Sequence, residues 1–473
     1  MKRILEDPFL KKNTAVAGTL ILAAAGLATR LIGFIYRILM SRWIGSEGMG
    51  LFGLISPVYG FTFTLCGSGV YMAVSKLVAE ARTDREATRL VLPSLLLTVS
   101  LSAAAMLSLQ FLALPLGTGL LGDVRTVRPL RLISLALPFC AAGNCFKAYF
   151  LGVRRMAIPA VSQILEQLAR MGVIGGIALL SSPDDLEAAC MIVVLGNVAG
   201  DLFSCLLTAT AYGIVCKKQG KGSSKTPAVP FLAKLLGIAF PLTVNRAIGS
   251  GLSGFENIII PKVLVRSGMS STAALSAYGE LNGMAFPIIF FPTLLTGALS
   301  NNLLPIVSSA HASGSYKRLQ RAIEQSLRLT LYMGLFFGLL FALGGNWLGR
   351  VLYDSASAGH YIVLLSVVCP FFYLQSVLGG LMNGLDLQND SLVHTVLCDG
   401  IRILILLFIV PSYGFNAFIA GLLGTNILLS LLNLRSLLRV APVRIRVLRL
   451  LAPPSPASLR HFLPARSRQN RKG

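Results

Sequence analysis

Eight ionisable residues lie deep within long apolar runs of this chain: Arg30, Glu166, Arg170, Asp201, Arg246, Glu280, Asp399 and Arg402. An ionised side chain at the centre of a bilayer costs at least about 2.5–3.5 kcal/mol on insertion scales, so each needs a partner, a cavity or a function. Unpaired arginines are suited to anion binding, because a guanidinium group presents a planar fork of donors to phosphate. The pattern therefore predicts an anion-binding site within a membrane.

Two acid–base pairs are local in the sequence. Glu166 precedes Arg170 by four residues, and Asp399 precedes Arg402 by three. At these spacings both members of a pair share one helix face. Each pair is therefore predicted to be a structural ion pair that neutralises itself.

Other charges have no such local partner, namely Arg30, Arg246, Glu256 and Glu280. If their spans line a cavity, its arginines favour an anionic cargo, whereas a mainly acidic cavity would suit cationic drugs with bound sodium or protons. Basic residues near the ends of apolar runs are predicted to reach the lipid head groups. These are Arg37, Lys76, Lys147 and Lys262.

The composition requires a membrane protein. The chain is 54% hydrophobic and 13% charged, with a mean hydropathy of +0.73, which excludes a soluble globule. The net charge of +23 does not indicate nucleic acid, because the basic residues concentrate in short loops and tails between apolar runs. The eight cysteines are scattered singly, as small buried hydrophobes. Neither a nucleotide-binding loop nor an enzymatic constellation is evident, so no enzyme and no cofactor are predicted.

Each apolar run of about 20 residues is long enough to cross roughly 30 Å of hydrocarbon as a helix. The sequence predicts an all-α polytopic protein whose first span is kept as an anchor. Loops rich in Lys and Arg alternate with loops that contain fewer of them, which predicts that both termini are cytoplasmic. The twelve predicted spans are about 14–40, 51–77, 90–113, 130–152, 157–180, 187–213, 231–262, 273–300, 324–345, 359–383, 391–410 and 414–436. Proline and glycine predict a kink or break in the seventh, and further prolines predict kinks elsewhere.

The chain also contains an internal repeat. A shift of 232 positions places Ser134, Pro138, Gly152 and Arg170 on Ser366, Pro370, Gly384 and Arg402, and a shift of 230 aligns residues 51–67 with 281–297. Six spans per half is an even number, so the halves are predicted to be parallel repeats with a site between them. The predicted domains are a six-helix bundle over 1–215, a basic cytoplasmic linker over 216–230, a second bundle over 231–438 and a basic, Pro/Arg-rich cytoplasmic tail over 439–473.

Residues 18–60, 68–81 and 258–310 resemble the stage V sporulation protein B and polysaccharide-export family. That family belongs to the superfamily of multidrug, oligosaccharidyl-lipid and polysaccharide exporters. The resemblance implies two six-helix bundles in a V, alternating access and a lipid-linked oligosaccharide as cargo. Related lipid II flippases carry essential cavity arginines in a motif similar to residues 29–34 here, which implies that role for Arg30 and, with a one-residue departure in spacing, for Arg37.

Three functional hypotheses follow. The first is a flippase for a polyprenyl-diphosphate-linked peptidoglycan precursor or oligosaccharide, driven by membrane potential or an ion gradient and working beside cell-wall synthesis enzymes. Its substrate-binding residues would be Arg30, Arg37, Arg246, Glu256, Glu280, Asn282 and Asn144. The second is a cation-coupled multidrug exporter of the same fold, in which Glu256 and Glu280 are essential. The third is a non-transporting cell-wall scaffold, which tolerates loss of all cavity charges.

Overall fold

The computed structural model describes residues 8–81, 83–180, 185–219 and 228–440, and these residues form helices joined by short turns, with no strand among them. Short π-helical or 3-10 turns interrupt or join several helices. In chain order the helices are α1 Pro8–Phe63, α2 Gly69–Glu80, α3 Asp84–Pro115, α4 Val127–Ser134, α5 Ala136–Gly152, α6 Ala157–Leu180, α7 Leu186–Gln219, α8 Ala228–Arg266, α9 Ser271–Tyr278, α10 Phe286–Phe290, α11 Thr293–Ala312, α12 Tyr316–Tyr353, α13 Ala356–Ser366, α14 Cys369–Gly384, α15 Gln388–Phe408, α16 Val410–Tyr413 and α17 Phe415–Val440.

The prediction of an all-α, multi-pass membrane protein is confirmed. Among the described residues, nine helices are long and apolar enough to cross a bilayer, or up to eleven if each of two bent pairs is one span. One of the nine, Ala24–Glu80, is 57 residues long and contains the second predicted span and the larger part of the first. As a straight helix it would reach roughly 85 Å, far more than one bilayer crossing.

The break between those two spans falls on one glycine. Gly45 has φ 70° and ψ −175°, whereas the residues around it are helical. A side chain at this φ would be strained, and glycine is not. The chain therefore leaves one span and enters the next without a separate loop.

Proline marks the two bent spans. Ser271–Phe290 and Thr293–Ala312 meet at 52°, with Pro292 immediately before the second helix. Ala356–Ser366 and Cys369–Gly384 meet at 60°, with Pro370 in the first turn of α14. By contrast, α8 is one helix of 39 residues through Pro241 and residues 249–254, so the break predicted there is absent. A proline removes only one backbone hydrogen bond from a helix. A complete break in hydrocarbon would leave several backbone groups without hydrogen bonds, so the continuous helix is favoured.

The chain forms two compact units. Unit 1 comprises residues 1–262 and 270–283, and unit 2 comprises 263–269 and 284–473. Unit 1 has a core of buried apolar residues from α2, α3, α5, α7 and α8, in which Phe146 and Tyr149 pack against partly buried Tyr212. Unit 2 has its own core from α11, α12 and α14. Most of the predicted linker and the tail beyond 440 lie outside the described residues.

The helix ends follow the internal repeat. Three elements of the first half end 232 positions before an element of the second half. The segment Leu116–Leu121 corresponds to α12, which ends at Tyr353; α4 ends at Ser134 and α13 at Ser366; α5 ends at Gly152 and α14 at Gly384. The left-handed turn residues also correspond. Arg154 (φ 60°) matches Asp386 (φ 59°), and Gly122 (φ 76°) matches Asp354 (φ 53°). The repeat thus extends from the sequence to the backbone of the turns.

In unit 1, α1 is in very close contact with α9 and with the π-helical turn Gly279–Ala285 that follows it. A Cβ atom on Gly279 would meet the Ser46 carbonyl oxygen and lie 2.5 Å from the Gly50 nitrogen, and one on Gly283 would lie 2.5 Å from Met49 Cε. Small residues allow such backbone approach between membrane helices. The crossing is closed by Tyr278, whose hydroxyl donates to the Gly53 carbonyl oxygen at 3.0 Å.

Candidate functional site

Four charged side chains from three helices of unit 1 form one network, in which two are buried and two are half-buried. Lys147 Nζ on α5 lies 2.9 Å from Glu166 Oε2 on α6. Arg170 Nη2, one turn further along α6, lies 3.4 Å from Glu166 Oε1 and 3.5 Å from Asp201 Oδ1 on α7. Two positive and two negative charges therefore neutralise one another inside the helix bundle.

The network depends on close packing of α6 against α7. A Cβ atom on Gly200 would lie 3.1 Å from the Glu166 carbonyl oxygen and 3.3 Å from Arg170 Cβ. This small residue brings its neighbour Asp201 against Arg170. The α1 helix joins through Tyr59, whose hydroxyl donates to Asp201 Oδ2 at 3.0 Å. Four helices are thereby linked by polar contacts.

The network is larger than the pair expected from the sequence. The Glu166–Arg170 contact exists, but the Glu166–Lys147 contact is shorter. Lys147 is only 8% exposed, so the prediction that it reaches the head groups is wrong. Its burial is tolerated because it faces a carboxylate rather than lipid. The sequence signal was available, since Lys147 and Asp201 both lie within apolar runs, but spacing alone does not pair residues on different helices.

Arg30 and Arg246 occupy a different environment. Both are exposed, and neither has a hydrogen-bond or ion-pair partner among the described residues. Arg246 on α8 lies within electrostatic range of Tyr71, which is also within range of Lys147. Arg37 is exposed and lies close to Tyr36, as does Arg170. Arg30 and Arg246 are therefore not members of the network, whereas Arg37 has an interaction partner of its own.

The other predicted substrate-binding residues are already engaged within unit 1. Asn282 Nδ2 donates to the Tyr278 hydroxyl at 2.9 Å, and Asn144 Nδ2 lies 3.4 Å from Cys140 Sγ. Glu256 is buried at 8% exposure, and both it and Glu280 have interaction partners. The sequence did not single out Tyr278, which is fully buried and accepts the hydrogen bond from Asn282.

In unit 2, Arg402 Nη2 donates to Asp399 Oδ1 at 2.7 Å, and Asp399 is 6% exposed. Further polar contacts of unit 2 join uncharged side chains. Gln375 Nε2 donates to Asn426 Oδ1 at 2.6 Å, and His394 Nδ1 lies 2.9 Å from Asn433 Oδ1. Sequence reasoning missed these amides, although Asn426, Ser430 and Asn433 recur at helical spacing on α17. In the described ranges, no group of three or more His, Cys, Asp or Glu residues could hold a metal ion.

The fold and its ion pairs belong to a multi-pass helical membrane protein. Comparison with known proteins narrows this class. The fold resembles the inward-facing conformation of a multidrug resistance MATE family transporter of the MOP superfamily, with a TM-score of 0.64, 13% identity and coverage of 88% of this chain and 96% of that one. At this identity the likeness concerns the fold alone. The predicted exporter fold is thereby confirmed.

The sequence matches the family described as "Polysaccharide biosynthesis protein" over residues 15–311, and the MatE family over 259–408. It is 31% identical to "Stage V sporulation protein B" of Bacillus subtilis over 450 residues, covering 93% of this chain and 86% of that protein. It is 24% identical to "Lipid II flippase MurJ" of the same organism, covering 80% and 74%. The chain belongs to the polysaccharide biosynthesis protein family, as the sequence blocks predicted. The prediction that it is not an enzyme agrees with this membership.

Proposed function

We propose that the protein is a flippase that moves a polyprenyl-diphosphate-linked peptidoglycan precursor or oligosaccharide across the cytoplasmic membrane, for cell-wall and spore-cortex synthesis. The family membership and the names of its relatives in Bacillus subtilis support this class of function. The cargo is anionic at its diphosphate and polar at its glycan, so its transfer needs fixed positive charge inside the membrane region.

One observation carries the proposal. Arg30 and Arg246 are exposed on helices that are long and apolar enough to span a membrane, and neither is neutralised by a described residue. The charges of the network formed by Lys147, Glu166, Arg170 and Asp201, by contrast, are balanced. An unneutralised arginine at such a position costs several kcal/mol, and an anionic ligand would offset that cost.

The remaining residues take supporting roles in this proposal. Arg37 is close enough to add a second guanidinium on α1. Glu280, Glu256, Asn282 and Asn144 offer hydrogen bonds to sugar only after giving up present contacts, which assigns them to a rearranged state. Membrane potential or an ion gradient supplies the energy, with membrane lipids and cell-wall synthesis enzymes as partners and both termini in the cytoplasm.

The test is cargo binding and flipping by purified protein in vesicles. Arg30→Ala with Arg246→Ala should lose binding of undecaprenyl-diphosphate sugars in native mass spectrometry and lose flipping, while still inserting. Arg155→Ala is the matched control, because it removes an exposed arginine from a turn outside the spans. Undiminished binding and flipping by the double variant would falsify the anion-site proposal.

The fold likeness and the MatE match also favour one alternative, a cation-coupled multidrug exporter. That function predicts sodium- or proton-dependent efflux which Glu256→Gln abolishes and the arginine variants preserve. The scaffold hypothesis predicts that neither set of variants changes cell-wall synthesis.

A further inference from the structure

A cavity of about 390 Å³ opens between α1 and α6 of unit 1. It is lined by Tyr36, Met40 and Trp43 on α1 and by Met171, Gly175 and Leu179 on α6. Its size falls within the range of about 300–1,000 Å³ that is usual for small-molecule sites. Neither the predicted cargo residues nor the buried charge network line it.

Glycine makes the room for this cavity. A Cβ atom on Gly172, Gly175 or Gly176 would meet nothing within 4 Å, so one side of α6 presents bare backbone to open space. Leu179 at the far end of the lining is 89% exposed. The cavity is thus open on the side of a membrane helix, where its surroundings are hydrocarbon.

The lining is almost wholly apolar. Tyr36, which lines the cavity, is 8% exposed, and its hydroxyl is buried without a hydrogen-bond partner among the described residues. The two methionines add flexible side chains that adapt to irregular ligands. Trp43 is of the residue type that favours the membrane interface. From Trp43 to Tyr36 the cavity follows α1 for roughly 10 Å into the hydrocarbon.

Positive charge lies beside the Tyr36 end of the cavity, which is the end deeper in the hydrocarbon. Arg37 follows Tyr36 directly and lies close to it, and Arg30 lies two turns earlier on the same face as Arg37. A ligand with an anionic head on this face and a long apolar chain could therefore pass its chain around α1 into the cavity. Neither the charge nor the apolar volume alone would select such a ligand.

We propose that the α1–α6 cavity binds part of the isoprenoid chain of the lipid carrier whose diphosphate is held by Arg30 and Arg37. This inference rests on the proposed function and adds a second contact region to it. Branched isoprene units are wider than a linear acyl chain, and they match a cavity that is widened by glycines and lined by aromatic rings and methionines.

The test uses undecaprenyl diphosphate carrying a photoreactive diazirine in its chain, added to the full-length protein in nanodiscs. Mass spectrometry of the cross-linked peptides should place the label on residues 36–43 and 171–179. Gly175→Leu fills the cavity and should weaken binding on the order of tenfold, equivalent to the loss of about two buried methylene groups. Gly237→Leu is the matched control, because Gly237 also has nothing within 4 Å but lies on α8.

A short-chain analogue, geranyl diphosphate, separates this inference from the proposed function. Gly175→Leu should leave its binding unchanged, whereas Arg30→Ala should weaken both the short and the long ligand. Equal binding of the long ligand by wild type and Gly175→Leu overturns the cavity assignment and leaves the flippase standing. Displacement of the probe by equimolar phosphatidylglycerol also overturns it, since the cavity would then take any lipid. Failure of wild type to bind either diphosphate overturns the proposed function itself.

Discussion

At the scale of single residues, the charges of unit 1 divide into those that are neutralised and those that are not. Lys147 and Asp201 are buried and pair with half-buried Glu166 and Arg170, which gives two charges of each sign. Removing one member of a buried ion pair leaves a charge without compensation and costs about 3–5 kcal/mol. The network is therefore expected to contribute to stability and specificity of packing, rather than to cargo binding.

Lys147→Met is expected to destabilise the protein by about that amount, because it leaves the network with an excess negative charge. Lys147→Met combined with Glu166→Gln restores neutrality and should recover most of the loss. The measurement is the thermal unfolding midpoint in detergent, followed by intrinsic fluorescence. If the double variant is as unstable as the sum of the two single variants, the two side chains are not coupled.

The sequence predicted individual charges better than their partnerships. The spacing of Glu166 and Arg170 indicated a shared helix face, and these residues do lie in contact. The contacts of Lys147 and Asp201 depend on the approach of α5 and α7 to α6, and the glycine at position 200 permits the approach of α7. One sequence contains no direct record of such contacts between helices. The role of Arg30 and Arg246 in binding stays a prediction.

At the scale of helices, the α1–α9 crossing depends on the absence of side chains. Gly50→Ala and Gly279→Ala each place a methyl group against backbone atoms of the other helix, namely the Leu275 and Ser46 carbonyl oxygens. Such overpacking typically costs about 1–3 kcal/mol. We expect both variants to unfold at lower temperature than wild type.

Gly60→Ala is the control on the same helix, because a Cβ there meets nothing within 4 Å. It should leave stability unchanged or raise it by up to about 1 kcal/mol, since alanine is the better helix former. A similar response of all three variants would mean that the crossing is not tightly packed.

The helices themselves were largely predictable, because apolar length and backbone satisfaction fix where a span must lie. The exceptions are instructive. Pro370 bends its span, whereas Pro241 lies inside an unbroken helix. Gly45 ends one span and starts the next without any polar loop. Whether a proline or glycine interrupts a helix depends on whether neighbouring groups can form hydrogen bonds with the freed backbone. The composition of the sequence does not show this.

At the scale of the whole molecule, orientation in the membrane is the main untested prediction. The basic loops favour both termini in the cytoplasm. A fluorescent protein that matures only in the cytoplasm should fluoresce when fused at either terminus. Alkaline phosphatase, which is active only outside, should be inactive at both termini and active when inserted after Asp185. The reverse pattern would invert the direction of transport assigned here.

The matched turns of the two repeats have an evolutionary consequence. Arg154 with Asp386, and Gly122 with Asp354, keep the same left-handed backbone although their side chains differ. The buried charges do not keep this correspondence, because Gly379, Cys398 and Asn433 stand 232 positions after Lys147, Glu166 and Asp201, and only Arg170 has an identical counterpart in Arg402. The two repeats thus keep the conformation of these turns, whereas three of the four charged network residues differ between them. After duplication, one repeat could keep the original function while the other acquired a new one.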